Sequence, residues 1–143
     1  MIDGDNLHRV VVYRDGMTKA REMLPFSALD SPDPEDLWKF MEKYEGSTGG
    51  QVIAIPHNGN VSNGVMFSDK RVDGSDFDKT YTALRQRWEP LYEVTQVKGD
   101  AEAHPYLSPN DEYANFETWD QGNLRMEPKE KNMLQGEYAR SAL

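Results

Sequence analysis

Residues 51–64 read QVIAIPHNGNVSNG and join a short apolar run to a polar loop rich in asparagine and glycine. The run at 52–55 is long enough for one strand, and its continuous apolar character predicts a strand buried on both faces. Pro56 ends that strand, because proline has no N–H for the ladder and its ring fixes φ. The loop then places His57 at the carboxyl end of the strand, which is where α/β proteins usually carry their sites.

Composition limits the classes of function. A chain of 143 residues suits one domain or a piece of a larger protein, and a net charge of −9 with a pI near 4.8 argues against nucleic-acid and anionic-membrane surfaces. There is no membrane-length apolar run and no signal-peptide core, so the cytoplasm is the default compartment. With no cysteine, any chemistry must use histidine, carboxylates, hydroxyls or a metal held by nitrogen and oxygen.

Two stretches before residue 51 predict regular structure. Residues 8–14 are rich in valine and predict a strand. A helix is predicted to begin at Pro34 with Asp33 as its cap and to stop at Gly46 and the following glycine pair. Its apolar face, at helical spacing, consists of Leu37, Phe40, Met41 and Tyr44.

The stretch after residue 64 predicts a second helix and a third strand. Ser75 is the expected cap of this helix, and Pro90 its end. Its apolar face consists of Phe77, Tyr81, Leu84 and Trp88. Residues 91–97 (LYEVTQV) are rich in strand formers. Strand, helix and strand without a hairpin signal predict a parallel βαβ unit with a right-handed crossover, and hence an α/β fold.

The remainder of the chain is less regular. Residues 98–123 predict a long loop with several aromatic residues, and a loop of this length is typical of a functional lid. A last helix is predicted from Glu127 with Pro128 near its start, and it runs to the end of the chain.

Parallel strands at 51–55 and 91–97 would bring their carboxyl ends to one edge of the sheet. His57 follows the first strand, Glu93 lies within the second, and Asp100 and His104 follow it. Histidine and carboxylate ligands without cysteine suit a hydrolytic divalent metal such as Zn, Mn or Fe. Such an ion lowers the pKa of bound water and polarises a phosphoryl or carbonyl oxygen.

Each of these residues also has a structural interpretation. For His57, a structural role in holding the loop is as well supported by the sequence as a role in metal binding or acid–base chemistry. Glu93 can pair with an arginine or face solvent, and His104 can be solvated. His8 is expected on the opposite edge from the site, with a structural role. The loop asparagines Asn58, Asn60 and Asn63 suit left-handed turns, hold the loop together or bind substrate oxygens.

Several motifs carry a family resemblance. The segments AIPHNGNVSNG, LYEVTQVKGDAEAHP, LSPNDEYANFETWD, NLHRVVVYRDG and PFSALDSPDPEDLW closely resemble an uncharacterised bacterial family, domain-of-unknown-function family 3604. That family resembles the polymerase-and-histidinol-phosphatase (PHP) superfamily through a strand ending in Ile55-Pro56-His57 and a later strand with Glu93. PHP proteins are distorted (β/α) barrels that hold two or three metal ions and hydrolyse phosphoesters. The resemblance implies that His57 is a metal ligand and that Glu93 lines the site.

The same resemblance implies that residues 1–143 form a single α/β unit, an internal or truncated piece of a larger PHP-like barrel. The amino-terminal His-x-His and late Asp-x-His pairs of the superfamily do not occur here. The expected fold is a partial (β/α) barrel-like layer with the parallel βαβ unit at its centre. Its open edges either associate with another copy or are covered by other chain segments.

The resulting functional hypothesis is a piece of a metal-dependent hydrolase acting on a small-molecule substrate, a phosphoester. The predicted catalytic residues are His57, Glu93 and Asp100, and the predicted metal ligands are His57, Glu93 and His104. The predicted substrate-binding residues are Asn58, Asn60, Asn63, Lys98 and Arg14. The alternatives are a non-catalytic metal-binding or protein-assembly module and an inert truncation product.

Overall fold

The structure is a computed structural model that describes residues 5–119 and 122–142. Short elements are separated by long irregular segments. In chain order they are β1 (Arg9–Tyr13), α1 (Met17–Ala20), α2 (Pro34–Thr48), β2 (Val52–Pro56), α3 (Lys79–Trp88), β3 (Thr95–Gln96), β4 (Gly99–Asp100) and α4 (Ala139–Ala142). Single 3₁₀ turns lie at Gly59–Val61 and Leu134–Gly136. None of the helices in these ranges has the length and apolar character that crossing a membrane requires.

The central pairing is antiparallel. β1 pairs with β2 in a register that sets Val10 opposite Ile55 and Val12 opposite Ile53. The described residues contain two sheets, β1–β2 and β3–β4, each of two antiparallel strands. The predicted parallel βαβ unit and the barrel-like α/β layer built on it are therefore wrong.

The stretch at 91–97 explains the error. In the described parts of the chain, the parallel pairing next to β2 is limited to one bridge, between His57 and Glu93. The chain then turns back at Val97 and Lys98, so that Thr95 and Gln96 pair with residues 99–100. Gly99 directly after the turn has a φ of 94°, which suits glycine. The strand-forming residues at 91–97 do not indicate which strand they pair with, so this hairpin was not predicted. Because β3 pairs with β4, no parallel strand lies beside β2 in the described residues.

Helix α2 follows its sequence signals closely at both ends. Asp33 accepts a hydrogen bond from the backbone N–H of Glu35, and Pro34 occupies the first turn, as predicted. The helix passes through Gly46, which was expected to stop it, and is capped by Gly49 at φ 63°. One glycine in a helix interior costs only about 1 kcal/mol, whereas the left-handed cap position favours glycine strongly.

Helix α3 begins later than predicted, and the last predicted helix does not form as expected. Asp78, rather than Ser75, caps α3 by accepting from the backbone N–H of Tyr81 at 2.7 Å. In place of a helix from Glu127, the described residues hold one 3₁₀ turn and the four-residue helix α4. Residues 98–119 and 122–123 are mostly irregular, as predicted, apart from β4.

The core lies on one face of the β1–β2 sheet. Val52 and Ala54 of β2 pack there against α2 and α3, and Val11 and Tyr13 of β1 add to the same face. The helices contribute Leu37, Trp38, Met41, Tyr44, Tyr81 and Trp88. On the other face Val10 and Val12 remain 45% and 42% exposed. The sheet is thus covered by helices on one side only.

A buried carboxylate joins three elements of this core. Glu89, which follows α3, has a side chain only 1% exposed and accepts from the Arg9 Nε and the Trp38 Nε1, both at 2.9 Å. It thereby links the first residue of β1 to α2 and α3. Arg9 is itself only 5% exposed, so the pair is shielded from water and from salt.

Replacing Glu89 by alanine should destabilise the protein by about 3–5 kcal/mol, because the buried guanidinium and indole N–H groups would lose their acceptor. The measurement is the free energy of unfolding in urea. Glu102→Ala is the matched control, since Glu102 pairs with Arg140 at a half-exposed position and should cost at most about 1 kcal/mol. Equal losses for the two variants would contradict the role given to Glu89.

Candidate functional site

The antiparallel β1–β2 ladder places two histidines side by side. His8 precedes β1 and His57 follows β2, and the backbone N–H of His57 donates to the carbonyl oxygen of His8 at 3.2 Å. Their rings are 6.1 Å apart between centroids. The expectation that His8 lies on the opposite edge from the site is therefore wrong, because it assumed parallel strands. His8 is the clearest site residue that the sequence reasoning missed.

The parallel bridge at the end of β2 brings Glu93 to His57. The backbone N–H of Glu93 donates to the carbonyl oxygen of Pro56 at 3.1 Å, and the Nδ1 of His57 lies 3.1 Å from the Oε2 of Glu93. Since a carboxylate only accepts, Nδ1 carries the proton in this contact. A neutral His57 then has its lone pair on Nε2, which makes no hydrogen bond within the described residues.

Charge and partial burial act together on His8. Desolvation of its ring is the largest cause that lowers the pKa of His8, and electrostatic interactions with the neighbouring His57 and Lys98 lower it further. His8 is therefore neutral at pH 7, and a neutral imidazole has a nitrogen lone pair available. Two imidazoles, one carboxylate and one ammonium group thus share this edge of the sheet.

The asparagines of the loop mainly serve its backbone. Asn58 and Asn63 have φ of 58° and 57°, the left-handed geometry that asparagine tolerates. The Asn60 amide donates to the carbonyl oxygen of Lys98 at 2.8 Å, and the Asn63 amide donates to Asp5 at 2.8 Å. The turn and loop-holding roles are confirmed, whereas substrate binding stays a prediction.

Two amide oxygens of this loop remain without partners. The Oδ1 atoms of Asn58 and Asn60 are buried and accept no hydrogen bond within the described residues. Buried polar atoms of this kind are uncommon, and a water molecule or a ligand usually satisfies them. The buried Asn6, which donates to the carbonyl oxygen of Asn58 at 3.2 Å, holds the backbone beside them.

Tyr92 fixes the loop from the side of Glu93. Its hydroxyl oxygen accepts from the backbone N–H of Gly59 at 3.0 Å. Burial of the ring is the main cause that raises the pKa of Tyr92 to about 12, while the Gly59 contact acts in the opposite direction. A Cβ on Gly59 would lie 2.4 Å from this hydroxyl and 2.5 Å from the carbonyl oxygen of Glu137, so the position requires glycine.

A buried lysine attaches the loop to the carboxyl-terminal part of the chain. Lys129 is 6% exposed and donates to the carbonyl oxygens of Asn60 and Trp119, and it lies 3.1 Å from the fully buried carboxylate of Glu137. The contact with Asn60 joins residues 69 apart along the chain, and no regular spacing in the sequence predicts that Lys129 pairs with Glu137, eight residues further on. Lys129 is therefore a residue that positions the loop.

The other predicted site residues lie in different surroundings. Asp100 accepts from the backbone N–H groups of Glu102 and Ala103 and so caps a turn. The Nδ1 of the buried His104 accepts from Tyr106, and its ring lies 5.1 Å from that of Tyr138. Arg14 contacts Gln51 at the far end of the β1–β2 pair, roughly 20 Å of strand from His8.

The structure therefore brings together His57, Glu93 and Lys98 of the predicted set and adds His8. Within residues 5–119 and 122–142 there is no group of three or more histidine, aspartate or glutamate residues placed to hold a metal ion. At this edge of the sheet, the carboxylate of Glu93 fixes the tautomer of His57, and the imidazole of His8 lies beside it. A histidine that is oriented by a carboxylate in this way is an arrangement that many metal sites use.

Comparison with known proteins adds one finding. A family model described as a protein of unknown function, DUF3604, matches residues 1–143. A search of curated proteins found no match, and neither did a search of solved structures. The match includes every residue discussed above, but its description states no activity, so the chemistry must be argued from the side chains.

Tyr92→Phe should destabilise the protein by about 1–3 kcal/mol, because the buried N–H of Gly59 would lose its acceptor. The wild type should also lose stability as the pH rises from about 10 to 12, since the folded-state pKa of Tyr92 lies above that of an unfolded tyrosine. Urea unfolding at several pH values measures both effects.

The matched control is Tyr113→Phe, which makes the same chemical change at a residue 75% exposed. This control should change stability by less than about 0.5 kcal/mol and should keep the alkaline loss. Between about pH 10 and 12, Tyr92→Phe should lose less stability than the wild type or Tyr113→Phe. An unchanged alkaline profile in that variant would contradict the burial of Tyr92.

Proposed function

The chain belongs to the DUF3604 family, and we propose that it supplies part of a divalent-metal site in a metal-dependent hydrolase of the phosphoesterase type. The single observation that carries this proposal is the 3.1 Å contact between the Nδ1 of His57 and the carboxylate of Glu93. The resemblance of its motifs to PHP hydrolases, in which the matching histidine binds metal, supports the same assignment.

His57 is the proposed metal ligand, through Nε2. Metal-binding histidines usually donate their other ring N–H to a carboxylate or carbonyl, which fixes the tautomer and raises the basicity of the ligand nitrogen. Glu93 fills this role, and its backbone is held by Pro56. The pair therefore presents an oriented lone pair at the end of β2, and the neighbouring His8 is a further nitrogen donor at this edge.

The chemistry that a bound Zn, Mn or Fe ion supplies is a water molecule with a pKa near neutral and polarisation of a phosphoryl oxygen. The residues of the chain would then orient the substrate. The Lys98 side chain is close enough to lower the pKa of His8, and a cation at this place favours an anionic phosphoester. Asp100 and His104 stay predictions, as does substrate binding by Asn58, Asn60, Asn63 and Arg14.

His57→Gln should weaken the binding of Mn²⁺ or Zn²⁺ by at least about tenfold, and Glu93→Gln should weaken it by about 10–100-fold, because the orienting acceptor loses its charge. Titration calorimetry measures both affinities. Glu102→Gln is the control, since it makes the same change at a half-exposed carboxylate that pairs with Arg140 and not with His57. Identical metal binding by the wild type and the His57 variant would remove His57 from the site.

Hydrolysis is tested separately with a generic aryl phosphate and added Mn²⁺ or Zn²⁺. Turnover that chelation abolishes and that His57→Gln reduces would support the hydrolase. Metal binding that depends on His57, without turnover of aryl phosphates or aryl esters, would favour a non-catalytic metal-binding module instead.

A second candidate function is protein assembly, and the uncovered face of the β1–β2 sheet favours it. The opposed pairs Val10–Ile55 and Val12–Ile53 form this face, and the outer edge of β1 has no strand partner within the described residues. A two-stranded sheet is marginal on its own, and exposed strand edges pair readily with other chains. The proposed partner is a second copy of the chain.

Sedimentation velocity over a range of concentrations should show self-association of the wild type, and Val12→Lys should suppress it by placing a charge on the apolar face. Val97→Lys is the control, because Val97 is 93% exposed outside this sheet. A wild type that stays monomeric throughout, or equal effects of the two variants, would count against assembly through this face.

A further inference from the structure

A cavity lined by cations lies beside the N-terminal segment, and its lining includes none of the candidate metal ligands His8, His57 and Glu93. Its volume is about 240 Å³, and its walls come from residues 5–9, from residues 65–72 and from α3. The cavity is lined by four basic side chains, which we name the basic pocket: Arg9, Lys70, Arg71 and Arg85. Asp5 is the acidic residue among the described lining residues, in a chain whose net charge is −9.

Aromatic rings hold two of the guanidinium groups in place. Arg71 lies over the ring of Tyr81 at 5.0 Å, and Arg85 lies over the ring of Phe67 at 5.8 Å. Arg85 also donates to the carbonyl oxygen of Met66 at 3.0 Å. Such contacts reduce the freedom of long side chains before a ligand binds, which lowers the entropic cost of binding.

Each of these cations has an acidic neighbour. Lys70 contacts Asp76, and Arg9 contacts Glu89 at 2.9 Å, so the donors still available are those of Arg71 and Arg85. Arg71 contacts Asp78 at 2.8 Å and Glu35 at 3.7 Å through its terminal nitrogens. The Nε of Arg71 is buried and has no hydrogen-bond acceptor in the part of the chain that the structure describes. The Arg85 Nε is 3.8 Å from Glu89, a carboxylate that already accepts from Arg9 and Trp38. The pocket therefore retains hydrogen-bond donors that an anionic ligand could use.

The remaining lining residues limit the size and character of the ligand. Val65, Met66, Val72 and Phe77 add apolar surface beside the cations. The volume lies below the roughly 300–1,000 Å³ of pockets for drug-sized molecules. This space suits one small ring or a short chain attached to a single anionic group. Guanidinium groups bind planar carboxylates and phosphates through paired N–H donors.

We propose that the basic pocket binds a small organic anion, with its phosphate or carboxylate oxygens on Arg71 and Arg85 and its apolar part against Val65 and Phe77. This binding needs neither a metal ion nor hydrolytic activity. It is therefore independent of the function proposed above, and the two can fail separately.

The test is a titration with phenyl phosphate in the presence of EDTA, followed by calorimetry and by backbone amide NMR. Saturable binding with shifts centred on residues 65–72 and on α3 is the expected result. Benzoate and inorganic phosphate then show whether a carboxylate suffices and whether the ring contributes. Absence of saturable binding for all three anions at millimolar concentration would overturn the proposal, as would equal binding of uncharged benzyl alcohol.

Arg71→Gln should weaken the binding of phenyl phosphate by about tenfold or more, the factor expected for a charged hydrogen bond. Arg87→Gln is the matched control, because Arg87 lies on α3 outside the pocket, pairs with Glu45 and is 58% exposed. Equal weakening by both variants would show that only net charge matters, and would overturn the proposal.

Arg71 also packs on Tyr81, so its variant is checked first by circular dichroism. Should Arg71→Gln not fold, Lys70→Gln decides the matter, because Lys70 is 48% exposed and can be replaced without disturbing the core. Weakening by Lys70→Gln of about twofold or more, with Arg87→Gln unchanged, supports the pocket, and an unchanged affinity contradicts it.

Discussion

The antiparallel pairing of β1 with β2 is the constraint on which the rest of this structure depends. It joins two segments about forty residues apart in sequence, and it decides which side chains share an edge. Antiparallel strands set the start of one beside the end of the other, so that His8 meets His57 and Arg14 lies at the opposite end. The candidate site is therefore a consequence of strand direction more than of any local motif.

Buried ionic contacts hold the segments that pack around this pair. Glu89 joins β1, α2 and α3 through Arg9 and Trp38, and Lys129 joins the loop after β2 to Trp119 and Glu137. Such contacts are strongly directional, and a buried charge without its partner is costly. In a chain with few regular elements, they fix the arrangement of irregular segments that an apolar core alone would leave less well defined.

Local signals predicted the local structure well. β1, β2 and α2 were predicted, and so were the Asp33 cap, the apolar face of α2 and the left-handed asparagines, because each depends on residues close in sequence. Strand direction was not predictable in the same way, because one strand pattern serves parallel and antiparallel partners. His8 was missed for this reason. Lys129 was missed because Asn60 is 69 residues away and because its contacts with Trp119 and Glu137 follow no regular spacing.

Polar atoms that lack a hydrogen-bond partner within the protein indicate where a ligand could bind. Several polar groups of the loop after β2 already have partners elsewhere in the protein. The Asn60 amide donates to the carbonyl oxygen of Lys98, the Asn63 amide donates to the carboxylate of Asp5, and the Gly59 N–H donates to the hydroxyl of Tyr92. Among the described residues, the buried side-chain atoms without a partner include the Oδ1 atoms of Asn58 and Asn60 and the Nε of Arg71. The partly exposed His57 contacts Glu93 through Nδ1 and leaves its Nε2 open. Because a folded protein satisfies nearly all of its buried polar atoms, these exceptions carry more information about ligands than composition does. A nitrogen lone pair at the sheet edge suits a metal cation, whereas a guanidinium N–H in the basic pocket suits an anion. The sheet edge at His57 and the basic pocket are therefore suited to ligands of opposite charge.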